Sequence, residues 1–163
     1  MNTDAPDIDT GTLTMDAVRD AADALRGVAV RTPLLENPDV NEKLGGRLLI
    51  KAEPLQRTGS FKFRGAYNKI CQIPEADRAR GVVAFSSGNH AQGVAYHARR
   101  LGIPATIVMA ETTPFNKVQH TRDHGARVVL EGLIFDEAKD YALELAEKEG
   151  LTFIHPFDDA DII

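Results

Sequence analysis

Four short apolar runs, VVAFS (82–86), ATIVMA (105–110), RVVLE (127–131) and TFI (152–154), each begin one to three residues after a glycine. Those glycines, Gly81, Gly102, Gly125 and Gly150, lie by subtraction 21, 23 and 25 residues apart. Each interval holds one strand, one helix and two turns. The slots between the runs read as helices: NHAQGVAYHARRLG, TPFNKVQHTRDHG and FDEAKDYALELAEKEG, the last with Phe135, Ala138, Ala142 and Leu145 at helical spacing. A glycine at each helix end with a strand directly after it is the usual αβ connection. Strands alternating with helices pair in parallel through right-handed crossovers, so this half predicts a doubly wound αβα layer.

Ahead of it, residues 1–13 read as a mobile leader. TMDAVRDAADALRG reads as a helix capped by Thr14, with Val18, Ala21, Ala22 and Leu25 on one face and Gly27 as its stop. RLLIKAE (47–53) is a strand candidate closed by Pro54. Hydrophobic residues at 43% and charged residues at 26% are those of a globular chain. The net charge of −5 argues against nucleic acid or an anionic membrane surface as the main partner. No apolar run is long enough to span a bilayer, and the acidic N-terminus is neither a signal nor a transit peptide, so the expected compartment is the cytoplasm. A single cysteine, Cys71, excludes an internal disulfide, and no CxxC pair offers zinc ligands.

Two stretches carry chemistry. FSSGNHAQG (85–93) begins at the carboxyl end of a predicted strand and runs into a helix, the edge where ligands bind in open parallel sheets. Ser86, Ser87 and Asn89 offer hydroxyls and an amide, Gly88 allows close backbone approach, and the helix start suits a carboxylate or phosphate. An ordinary capping turn would also use serine and asparagine.

TGSFKFRGA (58–66) places Lys62 between Phe61 and Phe63 at a helix start, with Ser60 as the expected N-cap. A cation in a first turn is unfavourable by roughly 0.3–1 kcal/mol. Either Lys62 snorkels past the aromatics to water, or it is a partly desolvated amine near the helix's positive end and Arg64. The second arrangement disfavours the charged form and suits a nucleophile that makes Schiff bases with carbonyls, pyridoxal phosphate included. Composition and spacing leave both readings open.

Taken together, KAEPLQRTGSFKFRGAYNKI, SSGNHAQGVAYHARRLGIPATIVMAETTP and GARVVLEGLIFDEAKDYALELAEKEGLTFIHPFDDADII resemble the threonine/serine dehydratases. These belong to the tryptophan-synthase-β-like, or fold type II, pyridoxal-phosphate enzymes. The resemblance runs from about Arg31 to Ile163, and the SFKxRG and SxGNHxQG motifs in this order are specific. It implies an α/β fold: a doubly wound parallel αβα small domain over 80–157, the N-terminal part of a larger domain over 14–79, and the start of a return to it over 158–163.

It also implies roles. Lys62 would form the Schiff base with pyridoxal phosphate and later move the substrate's α-proton. Phe61 would pack by the cofactor and Asn89 would hydrogen-bond the pyridine ring's phenolic oxygen. Ser86, Gly88, Asn89 and His90 would grip the amino acid's carboxylate. The implied reaction is β-elimination of L-threonine or L-serine to a 2-oxo acid and ammonia, threonine dehydration being a step associated with isoleucine biosynthesis. The expected partners are an amino-acid substrate and, for the whole protein, further copies of itself.

Three departures qualify this. Ala110 stands where proline is expected. Ser87 stands where alanine is frequent in dedicated threonine dehydratases; in similar serine racemases that serine acts as the opposite-face acid/base, so serine or hydroxyaspartate racemisation is an alternative. Against it, Ala138 replaces an arginine that helps hold the carboxylate in a racemase. The family also continues well beyond FDDADII, so the phosphate-gripping loop, the group facing the pyridine nitrogen and any metal site are expected past residue 163, and little turnover is expected of this portion alone.

A β-replacement enzyme such as a cysteine synthase would use a similar lysine, but GNHAQG rather than a TSGNTG type argues against it. A module that binds a small anion or another chain without catalysis is the reading from a different class. Of the five histidines, His120 and His124 are four apart on a predicted helix without a third ligand, and no metal is expected there.

Overall fold

A computed structural model describes residues 13–163, so all but the last residue of the expected leader lies outside the described residues. Four parallel strands form its sheet: β3 (Val82–Phe85), β4 (Ala105–Met109), β5 (Arg127–Leu130) and β6 (Thr152–Phe153), in the order β5-β4-β3-β6. Each lies within a predicted run and is one residue shorter. The crossovers are α5 (Asn89–Arg100), α6 (Phe115–Asp123) and α7 (Phe135–Glu149). At Gly81 φ is +97°, and a Cβ there would sit 2.7 Å from the Pro104 carbonyl oxygen, so glycine is needed for β3 to enter beside β4.

Alternation on the strands assigns the layers. Val82, Ala84, Ile107 and Met109 join Ala91, Val94 and Val118 of α5 and α6 in one core, while Val83, Phe85 and Val108 meet Ala138, Ala142 and Leu145 of α7 in the other. Helices therefore cover both faces, as doubly wound packing requires.

Before the sheet come α1 (Met15–Ala24), β1 (Leu34–Glu36), α2 (Pro38–Leu44), β2 (Leu49–Lys51), α3 (Lys62–Cys71) and the single turn α4 (Glu75–Arg78). Thr14 caps α1 as expected, its hydroxyl accepting the Ala17 N–H at 3.1 Å. Yet no residue of α1 is buried: the face with Val18 is formed and left uncovered. The 47–53 strand shortens to Leu49–Lys51 and pairs antiparallel with β1, leaving Leu34, Leu35, Leu49 and Ile50 exposed.

The expected Ser60 cap is a correction. Phe61, in helical conformation, is the residue before α3, and no side chain caps the helix. Ser60 is buried with its hydroxyl unpartnered, because its backbone carbonyl, not its side chain, takes the Phe63 N–H.

After β6 the chain straps back across α3. Asn68 Nδ2 donates to the Asp161 carbonyl at 2.9 Å, and Lys69 Nζ lies 2.9 Å from carboxylates of both Asp159 and Asp161. Gly65 makes this docking possible, since a Cβ there would stand 2.2 Å from the Ile162 carbonyl oxygen. Gly65→Ala should therefore destabilise the protein by about 1–3 kcal/mol in urea titration, although alanine is the better helix former by about 1 kcal/mol. Gly46→Ala, which meets nothing within 4 Å, is the control. A stabilised Gly65→Ala would mean the strap does not lie on α3.

Candidate active site

The chain adds strands in one direction from β3 to β4 to β5, then returns to place β6 on the other side of β3. The crevice beyond the carboxyl ends of β3 and β6 is thus the switch point where open α/β sheets bind ligands. Loop 86–88 leaves β3 there, and His155 to Phe157 leave β6.

Lys62 arrives at this crevice from α3. Its Nζ donates to the Pro156 carbonyl oxygen at 2.6 Å and lies 5.1 Å from the centroid of the exposed Phe61 ring. The lysine is half-buried and is not sandwiched between two aromatics. Phe63 turns inward and is fully buried, 4.2 Å from His97 and 5.5 Å from Tyr96 between ring centroids. Arg64 is not a free second cation either. Its guanidinium holds Glu53 at 2.7 and 2.9 Å, which keeps that carboxyl below the usual range despite its burial.

Two buried histidines fix α5 against these elements. His97 Nε2 bonds the Phe63 carbonyl at 2.9 Å and His90 Nε2 bonds the Ile154 carbonyl at 3.1 Å. Gly93 lets α5 and α3 approach closely: its Cβ would lie 3.2 Å from the Lys62 carbonyl oxygen. The carbonyl on which Lys62 rests is itself held by a turn in which His155 Nδ1 accepts the N–H groups of Phe157 and Asp158, at 3.3 and 2.7 Å.

Loop 86–88 is tied on both sides. Ser86 N–H continues the ladder to the Val108 carbonyl at 3.1 Å, its hydroxyl accepts the Gly88 N–H at 3.1 Å, and Ser87 Oγ lies 2.8 Å from Thr113 Oγ1. Gly88 precedes α5 and no side chain caps that helix. The first-turn N–H groups of Asn89, His90 and Ala91 therefore lack intrahelical acceptors. Asn89 is exposed, whereas the His90 imidazole turns into the core, so what His90 offers the loop is its backbone N–H.

Pocket-lining also separates two groups of residues. Ser86, Ser87 and Thr113 face a cleft of about 390 Å³ with Leu133, Phe135 and Ala138, and Lys62 is not among its walls. The side chains of the expected site thus meet the crevice from different sides. Sequence reasoning missed Pro156, His155 and Thr113. The end of a strand run marked His155 and Pro156, but Thr113 carried no signal. Among the described residues no group of three or more His, Cys, Asp or Glu could hold a metal ion, and none of the helices is long and apolar enough to cross a membrane.

Residues 25–163 match the pattern of the family described as pyridoxal-phosphate dependent enzyme. The chain belongs to that family. Among curated relatives of this enzyme family, it is 51% identical over 151 residues to the L-threonine ammonia-lyase of Thermotoga maritima, covering 93% of this chain and 38% of that protein. It is 48% identical over 143 residues to an L-threo-3-hydroxyaspartate ammonia-lyase of Pseudomonas, covering 88% of this chain and 45% of that one. The structure of threonine deaminase isoform 2 from Solanum lycopersicum superposes with a TM-score of 0.81 at 43% identity, covering 90% of this chain and 42% of that one. The serine racemase of Dictyostelium discoideum gives 0.85 at 33% identity, covering 93% and 49%. The chain thus spans less than half the length of these relatives, and its doubly wound α/β fold is theirs.

Burial pushes both His90 and His97 down to about 4, so the native protein holds them neutral. The unfolded chain binds more protons than the folded one between about pH 4 and 6.5, so stability is full above that window and falls as pH drops through it. Each histidine contributes on the order of 3 kcal/mol to this loss. Urea titrations from pH 7 to 4 should show the decline, and His97→Gln should make it shallower. An unchanged slope in the variant would mean His97 titrates freely in the fold.

Proposed function

We propose that this chain carries the Schiff-base lysine and the carboxylate-binding loop of a pyridoxal-phosphate ammonia-lyase. The reaction is β-elimination of L-threonine or L-serine to a 2-oxo acid and ammonia. The observation that carries this reading is the convergence of the Lys62 amine and the uncapped start of α5 on one crevice, in a chain half identical to L-threonine ammonia-lyases. On this reading residues 14–79 open the larger domain, 80–157 form the smaller one and 158–163 turn back. The groups that grip the cofactor's phosphate lie outside the 163 residues, and this portion alone turns over little. The whole protein would act as a cytoplasmic homo-oligomer.

The residues present suit the cofactor. A half-buried amine rests on a carbonyl beside an exposed aromatic face, and the buried hydroxyls of Thr58 and Ser60 just before it have no partner. When bound, pyridoxal phosphate supplies a carbonyl that captures amines and a ring that takes up the electron pair left at Cα. Lys62 would hold it, with Phe61 packed alongside and Asn89 toward the ring's phenolic oxygen.

The Pro156 carbonyl accepts a hydrogen bond from Nζ whether the amine is charged or neutral. It therefore fixes the nitrogen's position. That suits a group that must release and take up the substrate's α-proton. The N–H groups of Asn89 and His90, with Ser86 and Gly88, would receive the substrate carboxylate at the positive end of α5. Overall the substrate loses water across Cα–Cβ, and the enamine takes water back as it releases ammonia.

A second reading has its own observation. Ser87 places a hydroxyl on the loop, and a serine racemase is among the similar folds. Lys62 and Ser87 would then serve opposite faces of Cα in a serine or hydroxyaspartate racemase.

Borohydride reduction with pyridoxal phosphate, followed by peptide mass mapping, tests the assignment of Lys62 in this chain and in one extended past residue 163. One reduced adduct at Lys62, absent from Lys62→Ala, is expected in the extended protein. Labelling scattered over surface lysines in both would refute it and favour a module that binds anions or partners without catalysis.

A further inference from the structure

Thr113 sits in the turn between β4 and α6, half-buried, its N–H donating to the Ala110 carbonyl at 2.9 Å. That turn is pinned to the loop after β5: Glu111 N–H bonds the Gly132 carbonyl at 2.8 Å and the Thr112 hydroxyl bonds the Leu133 carbonyl at 3.3 Å. Of the two threonines, only Thr113 presents its hydroxyl to Ser87, at 2.8 Å. A β-branched side chain in a pinned turn has little χ1 freedom, so the hydroxyl's place is set by the backbone. Ser87 has no other side-chain partner among the described residues, and its neighbour Gly88 is the most pliable residue of the loop.

We infer that Thr113 is a positioning residue for the carboxylate loop: by pairing its hydroxyl with Ser87 it holds the Ser87–Asn89 backbone in the binding conformation. The inference rests on the carboxylate role proposed for that loop. Either hydroxyl can donate. When Thr113 donates, the Ser87 proton is free to reach a ligand and is polarised toward it. When Ser87 donates, its oxygen is still anchored. In both cases the loop loses one degree of freedom before a ligand arrives, which lowers the ordering cost of binding. The pair joins the loops after β3 and β4, so it ties the site to the side of the sheet away from β6, where Lys62 makes its own contact.

The test uses acetate as the probe and needs no cofactor. The ¹⁵N-labelled protein is titrated with acetate while the amide signals of Ser87, Asn89 and His90 are followed. The expected result is saturable shifts in the parent, a Kd about fivefold weaker in Thr113→Val, and recovery in Thr113→Ser, which keeps the hydroxyl. In a Ser87→Ala background, Thr113→Val should add nothing, because the partner is already gone. The dispersion of the same spectra reports whether each variant is folded. Parent-like binding by Thr113→Val, or an equal loss in the Ser87→Ala background, would overturn the role of Thr113 while leaving the carboxylate loop standing. Acetate shifts absent from the loop of the parent itself would overturn both.

Discussion

Close packing of α3 against α5 decides where the amine of Lys62 stands. Gly93 removes the side chain that would hold the helices apart, and the His97 imidazole locks their register by bonding the Phe63 carbonyl, one residue beyond Lys62. Because α5 begins directly after loop 86–88, the same contact fixes the lysine relative to the loop. A burial cost borne by a neutral histidine therefore serves geometry: a leucine of similar size could fill the space, but it could not choose one backbone carbonyl.

The parallel sheet was legible because its signals are local and repeated. Each strand follows a glycine and each interval holds one helix, so the doubly wound αβα layer follows from elementary connection rules. The first eighty residues were less so. The α1 face at Val18 and the β1–β2 pair at Leu34 and Ile50 have apolar patterns that nothing among the described residues covers, and pattern alone does not say what lies opposite. Residues 37–45 did carry a readable signal that went unused: Asn37 caps α2, Pro38 opens it and Gly45 closes it in a left-handed conformation.

Around Lys62, side-chain orientation was not readable. The motif around Lys62 gave a lysine flanked by two phenylalanines, yet successive helical residues diverge by about 100°, so Phe63 enters the core while Phe61 stays outside. Ser60 looked like a cap because capping is the commonest use of serine before a helix. Here a tight turn through Phe61 starts the helix one residue later and leaves that hydroxyl buried. What Thr113 and Pro156 touch was unreadable for another reason. Their roles arise from loops brought together by the sheet, across 26 and 94 positions of sequence.

The strap over α3 also has a consequence in time. Lys62 and its acceptor are 94 residues apart, and the Asn68 and Lys69 contacts span 93 and 92. At about 5–20 residues per second of synthesis, α3 leaves the ribosome several seconds before the segment that secures it. In that interval Phe63 and Ile70 lack the core in which they end, and Gly65 weakens the isolated helix. The βα units between them are all synthesised before the two ends can meet. A chain built this way cannot assemble its lysine crevice progressively from the N-terminus; the contact between Lys62 and Pro156 waits for β6.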